Sequence, residues 1–171
     1  MADPNVLLRA VERRHPDSEL VTELEERLTQ EEMRAATKAM PTPFADPLIR
    51  TWPVLGARLA VTTNNSSRVV RHYLESRDLT DSFAHIYGRS QDLALLKPHP
   101  QLLYRALKAM NASPAEALTI GDTPADLEAS QQAGITFLGY ARNARRKKVL
   151  RDAGAQVVVD SLGSVLSSLR Q

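Results

Sequence analysis

Apolar residues in the first forty positions recur at helical spacing rather than alternating. Val6, Leu7, Ala10 and Val11 share one face, and His15-Pro16 ends that stretch. Leu20, Val21, Leu24 and Leu28 form a second stripe. Thr29-Gln30-Glu31-Glu32 has the form of a capping box, which predicts a third helix starting there and running toward Met40. Residues 41–47 hold three prolines in seven positions and read as a linker. The organisational boundary falls there, with a helical segment 1–43 and a second unit 44–171.

Beyond the linker, short apolar runs alternate with helical periodicity. Strands are predicted at 57–62, 83–87, 117–120, 135–138 and 156–159. Helices follow Ser66 or Ser67, Pro100, Ala125 and Arg142, and a last one carries Val165 to Leu169. Gly134 and Gly154 are placed to stop two of them. Alternation at this spacing predicts an α/β fold, a Rossmann-like parallel sheet with helices on both faces.

Composition narrows the chemistry. At 171 residues, 43% hydrophobic and 25% charged, the chain suits one globular domain with a small appendage. It has no cysteine, which removes disulfides, thiolate nucleophiles and Cys-ligated zinc, and which suits a reducing cytoplasm. No apolar stretch approaches the ~20 residues of a membrane span, and the first residues lack a secretory pattern. A soluble, cytoplasmic protein without a membrane partner is therefore expected. Net charge is only +2, yet Arg142, Arg145, Arg146, Lys147, Lys148 and Arg151 cluster near the C-terminus. Such a cluster reads either as a nucleic-acid patch or as a solvated helix face. The absence of accompanying aromatic side chains favours the second.

Ligands of parallel sheets bind at the carboxyl ends of the strands. Three features fall at predicted strand ends or in the loops beyond them. Thr62-Thr63-Asn64-Asn65 offers hydroxyls and amides just before a helix N-terminus, as an anion site or as simple capping. Lys97, set in Leu-Leu-Lys-Pro-His-Pro, is either an exposed loop lysine or a cation held for a phosphoryl group. Gly121-Asp122-Thr123-Pro124-Ala125-Asp126 delivers one carboxylate to a strand end and a second to a helix opening, where hard oxygen ligands suit Mg²⁺. Asp126 would serve equally as a carboxylate on the helix dipole.

In order and in type, these stretches resemble the second, third and fourth motifs of the haloacid dehalogenase (HAD) superfamily. The resemblance runs over about residues 44–171 and implies a Mg²⁺-dependent phosphatase of a small phosphorylated metabolite. It implies that Thr63 and Asn64 bind the phosphoryl group and that Lys97 pairs with phosphate and nucleophile. By the same resemblance Asp122 ligates Mg²⁺, Asp126 supports the metal site or Lys97, and residues 1–43 are a remnant of a helical cap.

The family's first motif is a strand ending in Asp-x-Asp, lying between the strands that carry Thr63 and Asp122. None of the ten aspartates here stands two residues from another. His15, His72, His85 and His99 lack metal-ligand spacing, and no Gly-x-Ser-x-Gly elbow, Walker loop or Gly-x-Gly-x-x-Gly occurs. Two readings result: a truncated phosphatase inactive as this chain, or a non-catalytic module that binds phosphate and metal. A nucleic-acid binder ranks below both. The absent strand would leave unpaired sheet edges open to self-association.

Overall fold

The computed structural model describes residues 4–169. Helices α1 (Pro4–Arg14) and α2 (Glu19–Lys38) come first. Then α3 (Ala45–Val54) leads into β1 (Ala60–Thr62), α4 (Ser67–Glu75) and β2 (His85–Tyr87). The chain continues through α5 (Gln101–Ala109), β3 (Leu118–Gly121), α6 (Pro124–Ala133) and β4 (Thr136–Tyr140). It ends with α7 (Ala144–Asp152), β5 (Val158–Val159) and α8 (Leu162–Ser168). Every strand pair is parallel, so the architecture is the α/β alternation expected from the sequence.

Three local expectations need correction. No helix starts at Thr29, because α2 runs unbroken through it. The spacing of a capping box is also that of two residues on one helix face, and Thr29 and Glu32 use it to meet Arg89. The proline-rich linker is shorter than expected, since α3 begins at Ala45 and holds Pro47 in its first turn. Amides of a first turn have no intrahelical acceptor, so proline costs nothing there. On α1, Val6 and Leu7 are exposed, and the side buried is that of Asn5 and Leu8. Leu8 packs on Leu93 and Leu96, beside Val21, Leu24 and Leu28 of α2. The strands are also displaced by a residue or more from their expected bounds. Most are shorter, as buried apolar runs blur into their flanks.

The sheet is in two parts. β1 pairs with β2, and β3-β4-β5 form a separate ladder. Two helices hold the parts together. Ile49 of α3 packs with Val61, Leu74 and Ile86 on the first part, while Leu48 and Trp52 pack with Ile120, Leu162 and Leu166 on the second. On the other side, α5 rests on β1, β2 and α6, its Leu103 and Leu107 joining Ala129, Ala133 and Ile135.

Between the parts lies a slot, where the facing edges of β1 and β3 are not paired with each other. Thr63 donates its amide to the Tyr87 carbonyl, so by the alternation of a parallel ladder Ala60 and Thr62 turn their backbone groups away from β2. Likewise the β4–β5 bonds from Gly139 and Ala141 set the phase of β4, which leaves Leu118 and Ile120 of β3 turned away from β4. Among the described residues no strand pairs with either edge. A strand in the middle of a parallel sheet is ordinarily buried on both faces. Here no residue of β1 or β3 is fully buried, and Leu118 is 49% exposed.

Candidate functional site

The carboxyl ends of β1 and β3 meet at Lys97. Its Nζ donates to the Thr62 carbonyl at 3.1 Å and to Asp126 Oδ1 at 2.5 Å, joining the two parts of the sheet. The lysine is placed by Asn64, whose Oδ1 accepts the Lys97 amide at 2.8 Å while its Nδ2 donates to the Lys97 carbonyl at 2.9 Å. Arg9 of α1 donates to the same carbonyl, and the Lys97-Pro98 peptide is cis. Thus the side chain of Asn64 is engaged in holding the loop that presents Lys97. Thr63 Oγ1 accepts the Asn65 amide at 3.1 Å, stabilising the turn into α4.

Asp126 is mostly buried and both its oxygens are engaged. Oδ1 faces Lys97, and Oδ2 accepts from the Thr123 hydroxyl at 2.7 Å and the Thr123 amide at 3.1 Å. The Asp122 amide donates to the same oxygen at 3.3 Å. Burial alone would raise this carboxyl's pKa. The Lys97 charge, with hydrogen bonds from Lys97 and Thr123, outweighs burial and holds the pKa below its ordinary value. The approach is close: a Cβ on Gly121 would fall 2.5 Å from Asp126 Cβ, so only glycine fits there.

Asp122 differs from Asp126 in being open. Its side chain is 60% exposed and its one ion pair is with Arg146, Oδ2 to Nη1, at 3.5 Å. It borders a cavity of about 420 Å³ with Thr42, Ile120, Tyr140, Arg142 and Arg146. No group of three acidic or histidine side chains suited to a metal occurs among the described residues.

Two residues that the motif reading passed over belong to this site. Arg89 follows β2, and its side chain is wholly buried. It donates to Glu32 at 2.6 Å, to Thr29 at 2.8 Å, to the Asn64 carbonyl at 3.2 Å and to Glu25 at 3.4 Å. Glu32 in turn accepts the Ser66 amide at 2.9 Å, at the entrance of α4. Helix α2 is thereby fastened directly to the Thr63–Ser66 loop. The available signal was the position of Arg89 just past a strand's carboxyl end.

The parallel α/β sheet thus places a lysine–carboxylate pair at its strand ends, where ligands of such folds bind. The model of the haloacid dehalogenase-like hydrolase family matches residues 14–140, and the chain belongs to that family. A phosphoglycolate phosphatase of Pectobacterium atrosepticum is 30% identical over 111 residues, covering 65% of this chain and 47% of that protein. One from Salmonella typhi is 28% identical over 114 residues, covering 67% of this chain and 45% of the relative. The chain thus spans about half the length of the curated relatives it matches. A hydrolase of Pseudomonas syringae has the same fold, with TM-score 0.77 at 24% identity over 98% of this chain and 77% of the other. No helix among the described residues is long and apolar enough to cross a membrane.

Proposed function

We propose that residues 44–171 are the core of a Mg²⁺-dependent phosphatase for a small phosphorylated metabolite, and residues 1–43 the remnant of its cap. The observation that carries this reading is Lys97, whose ammonium is fixed between a strand-end carbonyl and Asp126. A cation so restrained can neutralise developing charge on a phosphoryl group without reorganising during the reaction. Thr63 would donate its hydroxyl to a phosphoryl oxygen, and Asn64 would keep Lys97 in place. The relatives named phosphoglycolate phosphatase support the substrate class.

The donor set fits Mg²⁺ narrowly. Asp126 has no oxygen to spare, so Asp122 would be the single protein carboxylate, with water and phosphate oxygens completing an octahedron. When bound, the ion would neutralise phosphoryl oxygens. Asp122 would orient it, and Asp126 would hold Lys97.

Attack on phosphorus needs a further carboxylate. In this reading it comes from a strand seated in the slot between β1 and β3, supplied by a segment outside these residues. Its oxygen would bond to phosphorus in line as the bond to the leaving alcohol breaks, and water would then cleave the acyl phosphate. Without that strand the chain should show little or no turnover. The second reading, a non-catalytic phosphate- and metal-binding module, is favoured by the absence among the described residues of an uncommitted carboxylate other than Asp122 at the cluster.

Both readings require anion and cation sites in the chain as it stands. Nuclear magnetic resonance titration with inorganic phosphate should shift the amides of Thr63 to Ser66 and of Lys97. Mg²⁺ should shift those of Asp122 and Thr123 in the wild-type chain but not in Asp122→Asn. Shifts confined to the basic helix α7 would contradict the assignment.

A further inference from the structure

Helix α1 reaches the backbone of Lys97. Leu8, buried, packs on Leu93 and Leu96, which lead into the lysine. One residue further along α1, Arg9 Nη2 donates to the Lys97 carbonyl at 3.1 Å. The amide and carbonyl of Lys97 otherwise bond to a single side chain, that of Asn64. Two bonds from one side chain leave the loop free to swing with it, and a third bond from another element removes that freedom. Among the described residues Arg9 pairs with no carboxylate, and its Nε is buried without an acceptor. Burying such a donor unpaired costs about as much as one bond to a carbonyl returns. The contact therefore adds little to the docking of α1, which rests on Leu8. Its effect falls on Lys97.

We propose that Arg9 is a positioning residue for Lys97: by anchoring the Lys97 carbonyl to α1, it keeps the ammonium in register between the Thr62 carbonyl and Asp126. That the ammonium serves a phosphoryl group rests on the reading of Lys97 given above, whereas the anchoring does not. The helical segment thus enters the site through the backbone that carries the lysine, rather than by touching a ligand. An ammonium held by three points of attachment needs no reorganisation to meet an anion.

The test is nuclear magnetic resonance of the folded chain in wild type, Arg9→Met, Arg9→Lys and Arg13→Met. Methionine keeps an apolar stem and removes the donor. Arg13 is exposed on the same helix, so its variant removes an equal charge without touching the loop. In wild type the Lys97 ammonium protons should be visible in the cold at mildly acidic pH, sheltered from water by their two acceptors. Arg9→Met is expected to broaden that signal by faster exchange and to weaken binding of inorganic phosphate by about two- to tenfold, the worth of one hydrogen bond. Arg9→Lys, which keeps a donor, should recover most of both, and Arg13→Met should match wild type. An unchanged ammonium signal in Arg9→Met, or equal effects in Arg9→Met and Arg13→Met, would overturn the proposal. So would no recovery in Arg9→Lys with the α1 amides displaced as a whole, which would assign the effect to packing. Failure of wild type to bind phosphate would overturn the phosphoryl reading alone, since the ammonium signal needs no ligand and still decides the role of Arg9.

Discussion

Lys97 and Asp126 stabilise the fold as well as preparing a site. Removing one partner strands a largely buried charge, so Lys97→Ala should cost about 3 kcal/mol in denaturant unfolding, and Lys97→Ala with Asp126→Asn clearly less than the sum. The sign of the pH effect follows from the lowered Asp126 pKa. Its contribution is fully present above the unfolded carboxyl's pKa of about 3.9 and is lost as pH falls through the folded value beneath it. Urea midpoints of wild type should therefore drop between pH 6 and pH 3, and those of Asp126→Asn should drop less. Gly121→Ala should displace Asp126 from Lys97, destabilising by about 1–3 kcal/mol and weakening phosphate binding, as overpacking does elsewhere. The residues of this pair were legible in the sequence because Lys97 stands in a proline-flanked loop and Asp126 in the first turn of the helix that follows a strand end. Arg89 and Arg146 were not assigned roles. Arg89 meets Glu32 from 57 residues away, and no local pattern encodes that distance. Arg146 stood within a run of basic residues whose bulk is solvated.

Among the elements, α2 is tied to the strand-end loop through Arg89, Glu32 and the Ser66 amide. Arg89→Ala would leave Glu32 almost buried and unpaired. The expected cost is about 3 kcal/mol, with faster proteolysis at residues 39–44 and shifted amides at Asn64 to Ser66. Arg89→Lys should recover only part, since an ammonium cannot fork onto Thr29 and Glu32 together. An Arg89→Ala chain with wild-type stability and an unperturbed loop would show that the fastening is incidental. The same tie explains the helix wrongly expected at Thr29, where a threonine and a glutamate one turn apart served a distant arginine rather than a cap. The proline pattern hid α3 for a similar reason. Prolines mark loops and first turns alike, and only packing of Leu48, Ile49 and Trp52 on both parts of the sheet decides between them.

At the scale of the molecule, the strand–helix alternation was readable from periodicity, and the division of the sheet was expected from the absence of an Asp-x-Asp strand rather than from any one element. It follows from what pairs with what. Among the described residues β1 and β3 each keep one edge unpaired, with α3 across one side and α5 on the other. Open edges of this kind should make the chain self-associate as its concentration rises, measurable by sedimentation. The central claim is that this slot is the seat of an apolar strand carrying the nucleophilic carboxylate. The most direct measurement compares hydrolysis of an aryl phosphate with Mg²⁺ by the 171-residue chain and by the same chain extended at its N-terminus with an apolar strand ending in Asp-x-Asp, joined by a flexible linker. The account predicts negligible turnover for the first, and for the second a turnover abolished by Lys97→Ala or by changing the first added Asp to Asn. Robust turnover by the 171-residue chain, lost in Lys97→Ala, would contradict it.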